Sequence, residues 1–378
     1  MRDAAIGFEL LAAAEVDAAA TLWRELEARA SPTALTCSWD WTAAWLRHYG
    51  DVVPYRFAIG RRAGAVCGIA LITESAGRGR AQLRPRRIHI GTAGEPPGEG
   101  IYVECNRVLA TSDAEAGFAA ALVKTLVAMR GWDELALDGF EADQADSLVN
   151  ANPRFRVRRE PSPIVDLRSA RGSGNALELL RKSVRQRVRR GLRGLGDVAT
   201  EWADGEDAAL RMLDELVELH QRRWRAAGRP GAFAAERVRA YHRDLVRTLL
   251  PRQSVMLFRA RCDAGTIGCL YGFLDRGRLL FYQSGFGEFG DPRLKPGLVT
   301  HALCMQACLD RGLDEYDLLA GESRYKRELA NAERTLVWAV AARPTARVAA
   351  ARVRRKAAAA ARGAQVRLAS GAGRGPST

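Results

Sequence analysis

The chain has 378 residues, 47% of them apolar, and a formal net charge of +14. That length accommodates two domains with cores of their own, and no run of about 18 uncharged apolar residues is present, so a membrane-spanning helix is not expected. Nine of the cations fall in residues 341–378 and seven in residues 181–193, both without acids, so the rest is near neutral and a basic groove across a whole domain is excluded.

The apolar run at the N-terminus is broken by Asp3, Glu9 and Glu15 and does not read as a secretory signal. Residues 6–30 read as a short strand and then an amphipathic helix. Trp39 to His48 reads as a second helix, with Ser38 placed to cap it. Pro54–Ile59 and Ala65–Thr73 form a predicted hairpin. Arg87–Gly91 and Ile101–Leu109 read as strands around a Gly-Pro-rich loop. A helix over 113–130 and a strand over 133–138 follow, and Phe155–Arg168 reads as an extended crossing into the second half.

Ala176–Leu195 then gives a helix whose Leu180, Val184, Val188, Leu192 and Leu195 make one apolar stripe, with seven cations on its other faces. Helices over 206–227 and 234–250 precede strands at Ser254–Cys262, Thr266–Leu274 and Arg278–Phe286. A loop over 287–295, a helix over 297–311, a strand over 314–319, a short helix over 322–330 and a strand over 334–342 complete the half. The tail from 345 reads as helical to about 362, and 371–378 as disordered.

One phrase occurs twice. Arg130-Gly131-Trp132-Asp133-Glu134-Leu135-Ala136-Leu137 returns as Arg311-Gly312-Leu313-Asp314-Glu315-Tyr316-Asp317-Leu318. Each copy reads as helix end, glycine cap and buried strand. The repeat implies two similar domains in tandem.

Several residues point to chemistry. Asp291-Pro-Arg293-Leu-Lys295-Pro296-Gly297-Leu298 joins a strand to a helix start, where free N–H groups and two cations suit a pyrophosphate; an ordinary Pro-Gly turn is the plainer alternative. Asp317 sits at an otherwise apolar strand position, as a general base or in an ion pair with Lys326 or Arg324. Lys326 would meet a phosphate or developing negative charge. Glu322 caps the short helix. His220 and Trp224 share a helix face, His220 as a base or as a structural or acceptor-pocket residue, and His301 reads as packing. Seven cysteines form no CxxC pair; Cys304 and Cys308 read as buried residues rather than metal ligands, and a reduced, cytoplasmic, metal-free protein is expected. No Ser-His-Asp order, metal cluster or phosphate loop stands out.

The segment Leu219–Leu329 resembles the CelD-like acyltransferase branch of the GNAT superfamily. The resemblance rests on Leu219-His220-Gln-Arg-Arg223-Trp224, Gly231-Ala-Phe233, Tyr282-Gln-Ser284-Gly285-Phe286, Lys295-Pro296-Gly297-Leu298 and Tyr316-Asp317-Leu-Leu-Ala-Gly321-Glu322-Ser-Arg-Tyr325-Lys326. Helix 180–195 and Trp39–Gly50 extend it over most of 35–335. The superfamily's usual Arg/Gln-x-x-Gly-x-Gly/Ala loop reads here as Arg293-Leu-Lys295-Pro296-Gly297-Leu298. The resemblance implies an α/β (α+β) fold of two tandem GNAT-like domains, each a mixed, mostly antiparallel sheet flanked by helices. The divisions it suggests are 1–165, 166–344 with the basic helix, and the tail 345–378.

It further implies direct acyl transfer from acetyl-CoA or another acyl-CoA to an amine or hydroxyl, on a small-molecule, sugar or exopolysaccharide-related acceptor. Arg293, Lys295, Pro296, Gly297 and Leu298 would cradle the pyrophosphate. Ser284, Gly285 and Phe286 would offer backbone to the thioester. Asp317, Tyr325, Lys326 and His220 are the catalytic candidates, with Tyr325 as acid, and Trp224 and Tyr282 flank the acceptor. Two other readings stay open. One is a FemAB-type ligase fed by aminoacyl-tRNA. The other is a non-enzymatic scaffold holding acidic lipid or nucleic acid. No sequence-specific nucleic acid is expected as a partner of the leading reading, and the basic tail would touch an acidic membrane surface weakly. The first copy of the repeat has Asp113-Ala-Glu115 ahead of its helix, which would repel a phosphate, so the chemistry is expected in the second copy.

Overall fold

A computed structural model describes residues 5–30, 32–75 and 84–357. The first half runs β1 (Gly7–Ala12), α1 (Val16–Arg29), α2 (Trp39–Tyr49), β2 (Tyr55–Arg62), β3 (Ala65–Glu74), β4 (Arg87–Ile90), β5 (Leu109–Ala110), α3 (Glu115–Ala128), β6 (Glu134–Glu141), α4 (Ala142–Asn150) and β7 (Phe155–Asp166). The second runs α5 (Lys182–Leu195), β8 (Ala199–Trp202), α6 (Glu206–Ala226), α7 (Glu236–Leu249), β9 (Val255–Cys262), β10 (Gly265–Asp275), β11 (Arg278–Phe286), α8 (Pro296–Asp310), β12 (Glu315–Asp317), α9 (Arg324–Leu329) and β13 (Ala332–Ala342). Residues 346–357 are helical; the rest of the tail reading lies outside the described residues.

Local chemistry explains most boundaries. Ser38 caps α2 by accepting the Trp41 N–H at 3.2 Å. Gly131 and Gly312, the repeated stops, have φ of 99° and 73°, the left-handed region where a side chain is strained. Two differences from the sequence reading stand out. Segment 101–108 forms no strand: Asn106 makes only an isolated bridge to Phe140, and the chain first pairs with β3 at Leu109. The helix predicted from 176 begins only at Lys182, after a tight turn at Ala176–Leu179. Two short elements, β8 and α4, add to those read from the sequence.

The strands form one mixed sheet in the order β1-β2-β3-β4-β6-β13-β7-β12-β11-β10-β9-β8, with β5 beside β3. The repeat is visible in its register. Arg87, Ile88 and His89 of β4 lie parallel to Glu134, Leu135 and Ala136 of β6. Arg278, Leu279 and Leu280 of β11 lie parallel to Glu315, Tyr316 and Asp317 of β12. The two halves exchange strands at the centre: β7 follows the first half in sequence yet pairs with β12, and β13 ends the second half yet pairs with β6. β7 and β13 then pair with each other along their length, so the sheet is continuous.

Helices cover both faces. α1, α2, α6 and α7 share one apolar core that spans both halves, from Trp23 and Trp45 to Tyr241 and Leu245. The opposite face has separate cores, under α3 and α4 in the first half and under α5 and α8 in the second. A buried ion cluster reinforces the junction. Glu141 of β6 meets Arg107, Arg276 and Arg278, and Arg278 also meets Asp275. Those guanidinium groups hold the Glu141 carboxyl low, at about 2, against the opposing effect of burial.

Candidate active site

Strands β11 and β12 pair for only three residues and then separate. Their divergence opens a cleft of about 280 Å³ lined by Phe281, Tyr282, Gln283, Ser284, Leu319, Tyr325 and Lys326. β11 carries a bulge there: Gln283 faces Tyr271 and Phe281 faces Gly272, leaving Tyr282 as the extra residue. A bulge re-aims a side chain and releases backbone from the ladder. The fold thus brings Tyr282, Ser284, Tyr325 and Lys326 to one cavity.

Two further walls come from the first half. Tyr102, 72% exposed, and Glu104 line the same cleft. Glu104 accepts the Ala320 N–H at 2.7 Å. Burial pushes its carboxyl up to about 7, against the Ala320 hydrogen bond and the charge of Lys326. Lys326 donates to the carbonyls of Leu319 at 3.0 Å and Ala320 at 2.6 Å, and burial lowers its ammonium pKa. A carboxylate poised near neutrality and a desolvated lysine therefore face one cavity. Sequence reasoning missed Glu104. Its only signal was an acid in an otherwise apolar stretch, and it is brought to the cleft from 216 residues away in the chain.

The remaining candidates divide. Tyr325 stacks on His301 at 5.3 Å between ring centroids, and burial raises its hydroxyl to about 12, so it stays protonated at neutral pH. Asp317 has no solvent exposure and does not line the cleft. Its Oδ1 accepts from the Ser162 hydroxyl at 2.9 Å and the Leu319 N–H at 2.8 Å. The ion pair expected with Lys326 or Arg324 does not form: Lys326 turns to carbonyls, and Arg324 to Glu328. Glu322 is exposed, and Ser323, not Glu322, occupies the N-cap of α9.

His220 receives the Ala232 N–H on Nε2 at 3.2 Å, which places its proton on Nδ1, facing the Ser284 carbonyl at 3.0 Å. Burial lowers its pKa. His220 thus orients β11 from behind and does not line the cleft. Trp224 packs 5.9 Å from it, with Arg229 over the indole, and also lies outside the cleft lining. The space beside Gly285 is taken by α6: an added Cβ would lie 2.5 Å from the Leu216 carbonyl oxygen. That glycine admits the helix, where a close approach by a thioester was expected.

The helix start at α8 lies next to the cleft. Lys295 holds the N-cap position at φ 48°, Pro296 is the first helical residue, and no side chain caps the end. The Gly297 and Leu298 N–H groups have no partner among the described residues. Phe286 packs on Gly297 and on His301, which stacks on Tyr325, so ring contacts connect the helix start to the cavity. Arg293 is clasped by Asp291, which offsets its charge. Compensation comes from α5. Gly191 and Gly194 bring that helix onto Leu294, and its exposed Arg190 and Arg193 have no ion-pair partner among the described residues. The set suits a pyrophosphate.

The corresponding opening in the first half is closed. Asn106 bridges Phe140 between β4 and β6, donating its N–H to the Gly139 carbonyl at 2.9 Å. Its side chain donates to the Ile90 carbonyl at 3.2 Å. Gly91 and Gly139 leave the room this plug needs. Only the second-half opening retains a free strand edge among the described residues.

Among the described residues no helix is long and apolar enough to cross a membrane, and no cluster suited to a metal ion is present. Residues 180–327 match a family model described as Acetyltransferase (GNAT) domain. No curated protein sequence matches the chain. The fold is similar to the crystal structure of FemX, with TM-score 0.53 and 10% identity, covering 78% of this chain and 90% of that one. It is equally similar, at 13% identity over 88% and 94%, to the C-terminal domain of a putative lysylphosphatidylglycerol synthetase from Agrobacterium fabrum. A tandem GNAT protein from the clavulanic acid biosynthesis pathway aligns over 90% and 100% at TM-score 0.50 and 13% identity. Residues 180–327 thus match a GNAT acetyltransferase domain, and the fold around them is similar to that of a tandem GNAT protein.

Proposed function

We propose that the chain transfers an acyl group from a CoA thioester to an amine or hydroxyl of a small acceptor, in one direct displacement at the β11/β12 cleft. The observation that carries this reading is the Glu104–Lys326 pair beside an open strand edge, with an uncapped helix start next to it. Gly297 and Leu298 would hold the pyrophosphate through their N–H groups. Glu104, near 7, would take the proton of the attacking amine or hydroxyl. The acceptor atom would bond to the thioester carbon, and the carbon–sulfur bond would then break. The Tyr325 hydroxyl, protonated at neutral pH, would give its proton to the departing sulfur. Lys326 would stabilise charge on the tetrahedral oxygen. Asp317 would support the cleft by fixing Ser162 and Leu319. A saccharide or envelope precursor follows from the CelD-like resemblance and remains a proposal of this reading.

The α5 surface favours a second reading, an aminoacyl-tRNA donor. Arg189, Arg190 and Arg193 extend positive charge beyond what one pyrophosphate needs. The testing experiment measures acyl transfer from acetyl-CoA, longer acyl-CoAs and aminoacyl-tRNA to a panel of amines and amino sugars, in wild type and Glu104→Gln. Turnover with an acyl-CoA that falls by about 10²–10⁴ in Glu104→Gln supports direct transfer with this base. Turnover with aminoacyl-tRNA alone replaces the donor.

A further inference from the structure

The first half holds a second cavity, of about 210 Å³, behind the wall formed by Tyr102 and Glu104. His89, Thr92, Gly94, Asp138 and Trp338 line it. Three side chains that nothing in the proposed transfer uses form a hydrogen-bonded chain at its edge: His89 and Asp138 line the cavity, and Ser75, outside the lining, adjoins His89 and Gly94. Ser75 Oγ lies 2.8 Å from His89 Nε2. His89 Nδ1 lies 2.6 Å from Asp138 Oδ2. The carboxylate can only accept, so the His89 proton sits on Nδ1, and Nε2 is left to accept from the serine hydroxyl. That is the tautomer a serine needs for activation by a histidine base.

The surroundings are those of a nucleophile rather than of a packed core. Ser75 is half-buried at the end of β3, His89 is buried along the cavity, and Asp138 is a third exposed. The turn at 91–94, with φ of 101° at Gly91 and 95° at Gly94, brings its backbone against Ser75. A Cβ added at Gly94 would lie 3.2 Å from the Ser75 Cα. The N–H groups of Ala93 and Gly94 have no acceptor among the described residues, which leaves two donors beside the serine for a developing oxyanion. The three residues are far apart in sequence, at 75, 89 and 138. They are assembled by the β3–β4 pairing and by the parallel register of β4 with β6. The second half has Leu280 where the first has His89, so the chain of three belongs to the first half alone.

We propose that Ser75, His89 and Asp138 form a second catalytic centre, a serine nucleophile that accepts short acyl groups from esters or thioesters and passes them to water. In the first step the Ser75 hydroxyl gives its proton to His89 Nε2 and its oxygen bonds to the acyl carbon. The bond from that carbon to the alkoxide or thiolate breaks, and the leaving group takes the proton from His89. In the second step water gives a proton to His89 and attacks the acylserine. The carbon–Oγ bond breaks, Ser75 regains its proton, and a carboxylic acid is released. The shared Tyr102–Glu104 wall sets this centre next to the transfer cleft, yet Ser75, His89 and Asp138 all belong to the first half.

The test uses the full-length protein, p-nitrophenyl acetate as acyl donor and a fluorophosphonate as covalent probe, read by intact mass and peptide mapping. Neither reagent needs the CoA cleft, so the result is separate from the fate of the transfer reading. The expected outcome is one adduct, on Ser75, absent in Ser75→Ala. His89→Gln and Asp138→Asn should slow its formation by at least about 10²-fold, with melting points near wild type. No adduct on Ser75 in the folded wild-type protein overturns the proposal. An adduct on Ser75 that forms as fast in folded His89→Gln also overturns it. If His89→Gln fails to fold, the wild-type mapping and Ser75→Ala decide alone.

Discussion

Replacing Glu104 with Gln should improve stability at alkaline pH while removing activity. In the folded chain burial raises this carboxyl from 4.5 to about 7. A folded-state acid held above its unfolded value keeps its proton longer than the unfolded chain does. It costs nothing below about pH 4, where both states are protonated. The cost grows as pH rises from about 4.5 to 7 and is complete above that. The full rise corresponds to ~3 kcal/mol at ~1.4 kcal/mol per pH unit, and screening at the open side of the cleft reduces this to about 1–3 kcal/mol. Gln keeps an oxygen for the Ala320 N–H and carries no charge to bury. Urea unfolding at pH 5 and pH 8 should therefore show wild type losing about 1–3 kcal/mol relative to the variant. In the same pair, the rate of acyl transfer should rise through about pH 7 in wild type and lose that limb in Glu104→Gln. Equal pH dependence of stability in the two proteins would refute the assignment of a perturbed carboxylate to this position.

Tyr325→Phe should lower kcat about 10²-fold or more without a matching change in KM, since the hydroxyl acts only on the departing sulfur; a steady-state comparison checks it. Asp317→Ala leaves the Ser162 hydroxyl and the Leu319 N–H buried without an acceptor. It should lower stability by about 2–4 kcal/mol, read by denaturant unfolding, with the alkaline limb of the rate profile kept. Gly285→Ala places a methyl 2.5 Å from the Leu216 carbonyl oxygen and should cost about 1–3 kcal/mol by the same measurement.

The fold was largely legible because its signals are local. Ser38 ahead of Trp39, glycines 131 and 312 at helix ends, and alternating runs such as 55–62 and 65–74 each act within a few residues. The duplicated phrase carried further, since its two copies occupy the same parallel register beside β4 and β11. The strand exchange of β7 and β13 was not legible: it depends on which sheet edge a strand finds, and nothing in Phe155–Asp166 names its neighbour. The site was half legible. Ser284, Tyr325 and Lys326 lie near one another in the second half and could be grouped from sequence. Glu104 could not, because it reaches the cleft only through the segment whose Asn106 plugs the first-half opening. Asp317 misled for a physical reason. A buried carboxylate at a strand position signals either catalysis or a hydrogen-bonded support, and the Ser162 partner that decides between them sits on β7, 155 residues earlier. His220 and Gly285 misled similarly, because the helix packing that engages both is tertiary.

The central claim is that the second half binds an acyl-CoA at the start of α8 and the first half does not. Calorimetric titration of the full-length protein with acetyl-CoA tests it most directly. One saturable site is predicted, weakened by added salt and lost in Gly297→Trp, whose side chain would fill the helix start against Phe286. Absence of binding in wild type, or unchanged binding in folded Gly297→Trp, would contradict the account.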